Sequence, residues 1–236
     1  MDFITLNKIK KVREITGIGI LNCRKALEKV GGNVDEAVRE LYTSNINNKC
    51  SSSNNSSELK HGHIHIAISE NRDVISMVEV GCKTDFVSFN TEFRQYVMDL
   101  ALCVMENRIL DKEYLSNKTD AKIIELASDR LFFLSKKFGE NLVIKNVFYS
   151  GNLDGFYGFY VHTVSNISRI GVVVITDIRN DIVSNTIAMQ IAALNPINLQ
   201  SLFEQEFMLD DKISVELYLK RNNVNIKKYV RFALGI

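Results

Sequence analysis

Tryptophan is absent from this chain of 236 residues, and proline occurs once, at Pro196. One proline leaves no room for a proline-rich linker or recognition segment. Cysteine is sparse: Cys23, Cys50, Cys82 and Cys103. No two of them stand at C-x-x-C spacing, so neither a zinc site nor a redox pair is indicated. Cys23 and Cys103 fall on apolar helix faces and read as small hydrophobes, and reduced thiols suit the cytoplasm. Long apolar runs are missing too. Ile170 to Ile175 falls far short of the ~20 residues that cross a bilayer. The opening residues Met1-Asp2-Phe3-Ile4-Thr5 show no basic lead into an apolar stretch, so no secretory signal is expected. Neither sign of charge dominates. The net charge of +1 argues against a main role in nucleic-acid binding, which shows as a basic excess. Neither a nucleic acid nor a membrane is expected as a direct partner.

What is present is ordinary for a folded domain: 46% hydrophobic and 24% charged residues, enough for a core in one or two domains. Residues 1–44 read as three short helices. Leu6, Ile9 and Val12 line the first, and Thr16-Gly17-Ile18-Gly19 breaks it, since glycine favours turns. Ile20, Cys23, Ala26, Leu27 and Val30 line the second, which stops at Gly31-Gly32. Asn33 with Glu36 three residues on resembles a capping box for a third helix carrying Val34, Ala37, Val38 and Leu41. Residues 45–57 lie in a Ser/Asn-rich stretch that reads as a flexible linker, so the helical module is expected to be tethered to the rest.

A hairpin-then-helix unit follows. Ile64, Ile66 and Ile68 alternate with His63, His65 and Ala67, as on a half-buried strand. Val74 to Val80 forms the return strand, and a helix runs from Thr91 to Met105. Another helical stretch, about Asp120 to Lys137, leads to Gly139. A similar unit recurs: a strand over Leu142–Tyr149, a hairpin of Gly155–Val164 and Arg169–Thr176, and a helix from Asp181 to Leu194, ended by Asn195-Pro196. A short helix near Ser214–Asn222 and a strand over Lys228–Leu234 close the chain. The expected class is α+β. The expected divisions are a three-helix module (1–44), the linker (45–57), a first sheet-and-helix subdomain (58–140) and a second, related one (141–236).

The turn after Val80 carries the strongest functional signal. Gly81-Cys82-Lys83-Thr84-Asp85-Phe86-Val87 sets a carboxylate and a large ring side by side at a strand-to-helix junction. By itself, a ring at a turn reads as local packing. Beside an acid it can also be a probe, the ring filling a partner's pocket while the acid disturbs its charge balance. Phe89 could be a second probe or core, and core is the expected reading. His61, His63 and His65 share one strand face and could together meet a metal. No second cluster supports them, so a solvated polar face is the expected reading and no metal site is assigned. Cys82 with His162 could suggest a thiol nucleophile and its base, but nothing in the sequence brings them together. Arg231 and Lys227-Lys228 read as surface charge.

Several segments resemble the elongation factor Ts family, in that family's order. Val12-Arg13-Glu14-Ile15-Thr16-Gly17-Ile18-Gly19, continued by Leu21 to Leu27, is similar to its opening signature, and so is Gly32 to Ala37. Thr84-Asp85-Phe86-Val87 is similar to its second signature. Further matches are Gly139-Glu140-Asn141, Arg169-Ile170-Gly171-Val172, Ile187-Ala188-Met189 and Val230-Arg231-Phe232. The resemblance implies a guanine-nucleotide exchange factor that binds elongation factor Tu in its GDP-bound and nucleotide-free states. It implies no covalent chemistry and no cofactor. The opening module, through Val12, Thr16, Gly17, Gly19, Cys23, Lys25, Ala26 and Leu27, would dock on the partner's nucleotide-binding domain. Thr84, Asp85, Phe86 and Val87 would press beside its magnesium site, with His162 as a second intruding residue. Several departures stand out. The stretch from Ile197 to about Lys212 is too short for the family's coiled-coil arm. Thr163 to Ser168 lengthens the link between His162 and Arg169. Ser88-Phe89-Asn90 lacks the family's basic residue after the turn. Weaker binding than an arm-bearing relative, with the exchange core kept, is the expectation. With Ile236 as the last residue, the family's terminal helix is also expected to be missing. The opening module also has the shape of a ubiquitin-associated domain, so a binding adaptor without exchange activity is the alternative.

Overall fold

Two sheets lie face to face between two layers of helices. The structure, a computed structural model, describes residues 4–16, 19–38, 40–41, 59–107, 113–116, 121–151 and 155–235. The expected linker, residues 45–57, and Gly17 lie outside them.

The first sheet grows from a hairpin. β1 (His61–Ile68) runs antiparallel to β2 (Val74–Cys82), with His61 opposite Cys82 and Ile68 opposite Ile75. β3 (Glu113–Ser116) and β4 (Val143–Gly151) complete it in the order β1-β2-β4-β3. Residues 143–151, expected to open the second subdomain, therefore pair with β2 of the first. Only strand pairing could place them, because a strand's own alternation does not name its neighbour.

Every residue of β2 is buried, because both faces of this sheet are covered. On one face Val78, Val80 and Cys82 meet Phe93, Val97 and Leu100 of a long helix and Leu134 of a second. On the other, Ile64, Ile66, Ile75 and Met77 meet Tyr157, Val173, Val230 and Phe232 of the second sheet. That sheet has the order β5-β6-β9, from β5 (Phe156–Val164), β6 (Ile167–Thr176) and β9 (Ile226–Ala233). Ser165 and Asn166 join β5 to β6, both at positive φ, the backbone that a two-residue hairpin turn needs.

Helices cover the outer face of the second sheet. Val183, Ile187 and Ile191 of the helix Asp181–Leu194 pack on Val172 and Val174. Gly158 of β5 lies under that helix. A Cβ there would stand 2.4 Å from the Ser184 Cβ and 2.6 Å from its carbonyl carbon, so glycine is what allows the helix to sit so close. Between this helix and β9 lie only short elements: a helix Leu199–Glu204, a hairpin of β7 (Glu206–Phe207) and β8 (Asp210–Ser214), and a helix Val215–Arg221. No long helical pair stands there. Arg231, read as surface charge, is instead half-buried and donates from Nη2 to the Ala192 carbonyl at 3.4 Å.

The N-terminal module has its own core. α1 (Leu6–Thr16), α2 (Ile20–Lys29) and a helical stretch at 34–38 and 40–41 bury Ile9, Val12, Cys23, Leu27, Ala37 and Leu41. Gly32 donates to the Leu27 carbonyl at 2.8 Å with Gly31 and Gly32 at positive φ, which closes α2 as the sequence suggests. Asn33 accepts from the amides of Asp35 and Glu36 and caps the third stretch. Phe132 of the helix Ala121–Phe138 packs against this core. The module therefore rests on the first subdomain as well as being joined to it by chain, a contact that linker composition could not show.

Candidate functional site

The Asp85–Phe86 junction is a short helix rather than an open turn. β2 runs on through Gly81 and Cys82, and Thr84, with extended backbone angles, precedes the helix α3 (Asp85–Phe89). Asp85 in its first turn suits the positive end of the peptide dipoles. Asn90 ends α3 and starts the next helix: its side chain accepts from the amides of Glu92 and Phe93, at 2.8 and 3.3 Å. That helix is α4 (Thr91–Asn107).

Five residues do not hold a helix by themselves, so α3 depends on what grips it. Val87 and Ser88 point inward and are buried. The Ser88 hydroxyl accepts from the Gly62 amide of β1 at 2.9 Å. The Cys82 thiol lies 3.2 Å from both the Ser88 hydroxyl and the Thr84 carbonyl, to which it donates. Burial pushes this thiol up to about 11, with Ser88 partly opposing the shift. Cys82 therefore stays protonated near neutrality and serves as a hydrogen-bonding strut. A nucleophile would need the thiolate.

Above this base the side chains stand free. Asp85 is exposed, and Phe86 is 83% exposed. Phe89, expected in the core, is 48% exposed. Three residues on from Phe86, it shares that ring's side of the helix, while Val87 and Ser88 take the inward positions. The sequence could not show this, because which face of a five-residue helix turns inward depends on what lies beneath it.

His162 sits on β5, opposite Ile170, where the register shifts before Thr163. Tyr160, two residues earlier on the same face, still touches the core under the outer helix, and its ring centroid is 6.5 Å from that of His162. His162 itself is exposed. The longer link from Thr163 to Ser168 continues the hairpin: Thr163 pairs with Ser168 and Val164 with Ile167. Its end is pinned at two points. Ser168 donates from its amide to His63 Nδ1 at 3.3 Å, and Arg94 of α4 donates to the Asn166 carbonyl at 3.0 Å. Adjacent residues of β1 thus make two grips, Gly62 on α3 and His63 on the hairpin that carries His162.

The expectation for the three histidines needs correction. His63 is buried, on the face that α4 covers, and acts as an acceptor. Among the described residues no group of three or more His, Cys, Asp or Glu could hold a metal ion. Burial is the main cause, with the nearby His65 and Arg94 adding to it, that lowers His63 to about 4 from an ordinary 6.5. The unfolded chain then takes up the proton first as pH falls. Stability is full above about pH 6.5 and is lost toward pH 4. At about 1.4 kcal/mol per tenfold change in proton affinity, this one residue accounts for about 3 kcal/mol. Urea midpoints at pH 7 and pH 4.5 are expected to differ less for His63→Asn than for the native chain. Equal differences would show that His63 is not the titrating group.

Most signature residues of the opening module build it rather than face outward. Val12, Thr16, Cys23, Ala26 and Leu27 are all buried, and the Thr16 hydroxyl donates to the Val12 carbonyl at 2.6 Å. Gly19 and Lys25 are exposed, and so are the apolar Leu6, Ile20 and Leu21. Burial marks the core through its spacing, but the outward face carries no periodic mark.

One residue had no assigned role from sequence. Glu140 accepts from the amides of Lys83 and Thr84, both at 3.1 Å, and from the Thr84 hydroxyl. Only its place in Gly139-Glu140-Asn141 singled it out. Among the described residues, no helix is long and apolar enough to cross a membrane.

Comparison with known proteins places these features in a family. A family model described as "Elongation factor TS" matches residues 83–201, from Lys83, three residues before the exposed ring, into the helix Leu199–Glu204. The chain is 30% identical to elongation factor Ts of Hydrogenovibrio crunogenus over 82% of its own length and 63% of that relative's. It is also 30% identical to elongation factor Ts of Clostridium tetani, over 88% of this chain and 68% of the relative. The elongation factor Ts of Aquifex aeolicus is 26% identical, over 98% of each chain. That match runs over 292 positions against 236 residues here, so at least 56 positions have no counterpart in this chain. The chain spans less than two thirds of the Hydrogenovibrio relative.

Proposed function

The chain belongs to the elongation factor Ts family, and on that premise we propose that it binds elongation factor Tu carrying GDP and drives the nucleotide off during translation elongation. The observation that carries this reading is Phe86, a ring 83% exposed on a helix gripped from beneath. With Phe89, 48% exposed and three residues on, it puts two aromatic rings on one side of a short helix, and exposed apolar surface that is grouped rather than scattered marks a contact site. Asp85 stands beside it and supplies a negative charge.

The chemistry follows from charge. A magnesium ion bridging a nucleotide's phosphates to its protein is the largest local positive charge in such a site. A ring wedged beside it displaces the groups that ligate it, and a carboxylate competes for the same cation. The nucleotide, left with its own negative charge, leaves. Nothing covalent happens, and the effect is one of linkage: a factor that binds the empty partner better than the loaded one weakens nucleotide binding by the same ratio.

His162, on the hairpin whose end His63 and Arg94 hold, makes the second contact. The opening module docks the chain. Its buried signature residues shape it, while Leu6, Ile20, Leu21 and Lys25 offer the contact surface. Without a coiled-coil arm, contact rests on the module and the two sheets, and binding is expected to be weaker than for an arm-bearing relative. The setting is the cytoplasm.

Stopped-flow release of a fluorescent GDP analogue from elongation factor Tu tests the reading. The native chain is expected to accelerate release in a concentration-dependent way. Stable binding with unaltered release would favour the adaptor alternative.

A further inference from the structure

We propose that Glu140 is a positioning residue of the exchange site, holding Asp85 and Phe86 at their angle of approach by accepting three hydrogen bonds from the two residues before them. This inference rests on the exchange reading above.

The ladder between β1 and β2 ends at the pair His61–Cys82. Beyond it the amides of Lys83 and Thr84 have no strand partner, and unpaired backbone donors need an acceptor. A carboxylate has two oxygens and only accepts. Oε2 of Glu140 takes both amides at 3.1 Å, and Oε1 takes the Thr84 hydroxyl. Thr84 consequently makes no side-chain cap to its own helix. The grip comes from far along the sequence. Glu140 follows the helix Ala121–Phe138 and Gly139, whose φ of +69° turns the chain back toward the sheet. It is half-buried, clamped between that helix end and β4.

Two grips of different kinds therefore act on α3. Val87, Ser88 and Cys82 anchor its underside to the core. Glu140 fixes the lead-in, residues 83–84, and so the direction in which residues 85 and 86 emerge. Loss of the first grip would disturb the core. Loss of the second would leave the core alone and let the probe swing, and displacements of about 1 Å in a working site cost as much as ~100-fold.

The test is release of a fluorescent GDP analogue from elongation factor Tu by full-length variants. Glu140→Ala is expected to slow release about tenfold while the melting temperature changes little. Glu140→Gln keeps a carbonyl for the two amides and an NH₂ that can donate to the Thr84 oxygen, and should stay within about twofold of native. In an Asp85→Ala/Phe86→Ala background, adding Glu140→Ala should change nothing further, since the residue acts through the pair it positions. A native rate for Glu140→Ala overturns the proposal. So does an equal loss for Gln and Ala, which would mean that the charge itself acts on the partner, and so does a full additional loss in the double-alanine background. A native chain that does not accelerate release at all overturns the exchange reading itself. Amide hydrogen exchange then decides the clamp: faster exchange at Lys83 and Thr84 in Glu140→Ala supports it, and unchanged protection removes it.

Discussion

Replacing Asp85 and Phe86 together by alanine is expected to slow GDP release from elongation factor Tu by about 10- to 100-fold, the range that coupling energies of about 1–3 kcal/mol allow. The melting temperature of the chain is expected to stay within about 2 °C, because exposed substitutions shift stability by about 0.5 kcal/mol or less. The two halves of this expectation have one cause. Phe86 is 83% exposed, so its removal leaves no cavity, and Val87 and Ser88 beneath it keep the helix in place. A side chain that contributes so little to its own fold is free to act on another. Release traces and thermal melts of both proteins, recorded together, separate the possible results. Equal release by the native chain and the variant would keep exchange as the function and move the site elsewhere. A slow variant that also melts early would mean that the pair supports the fold after all.

The second large effect concerns stability alone. Gly158→Ala is expected to destabilise the chain by about 2 kcal/mol or more, within the usual cost of overpacking, and to lower its melting temperature by about 4–8 °C. The added methyl would meet the Ser184 Cβ at 2.4 Å and, worse, the backbone carbonyl carbon at 2.6 Å. Side chains can rotate away, but a helix backbone moves only as a whole. This helix is tied down: the Asn185 side chain accepts from the Phe159 amide of β5 at 3.0 Å, and Ile187 and Ile191 are fully buried. Ser184→Gly in the same chain should restore part of the loss, since it removes the side-chain clash and leaves the backbone one. Unchanged melting in Gly158→Ala would show that the helix can step back from the sheet at no cost.

Much of this architecture is legible in the linear chain. Alternation at Ile64 and Ile66, three- and four-residue spacing in the helices, and glycine or asparagine at their ends mark the longer elements within a few residues; α3, β3, the helix Leu199–Glu204, β7 and β8, of six residues or fewer, are too short to show a period and escape it. The place of the candidate site is legible too, since Asp85 and Phe86 sit at a strand-to-helix junction that any reading of apolar periodicity finds. Other features escape such a reading for reasons that can be named. Phe89 looks like core because it is a ring next to a helix, yet the buried positions of α3 are already taken by Val87 and Ser88. His63 looks like a solvated strand residue, yet α4 covers its face. Leu6 and Ile20 fall on the apolar faces that also hold Val12, Cys23 and Leu27, yet each is the first residue of its helix and lies exposed, beyond the reach of the module's core.

What the sequence by itself determined is local: which residues form the longer helices and strands, about where each stops, and that an acid and a ring share one junction. Backbone propensity, capping and side-chain period act over a few residues and are written in order along the chain. What only the tertiary structure decided is everything that joins distant residues. It set Val143–Gly151 into the first sheet, laid Gly158 under Ser184, and brought Glu140 across 56 positions to Thr84. Pairing and close packing depend on which surfaces meet once the chain has folded, and neither leaves a mark at a fixed spacing.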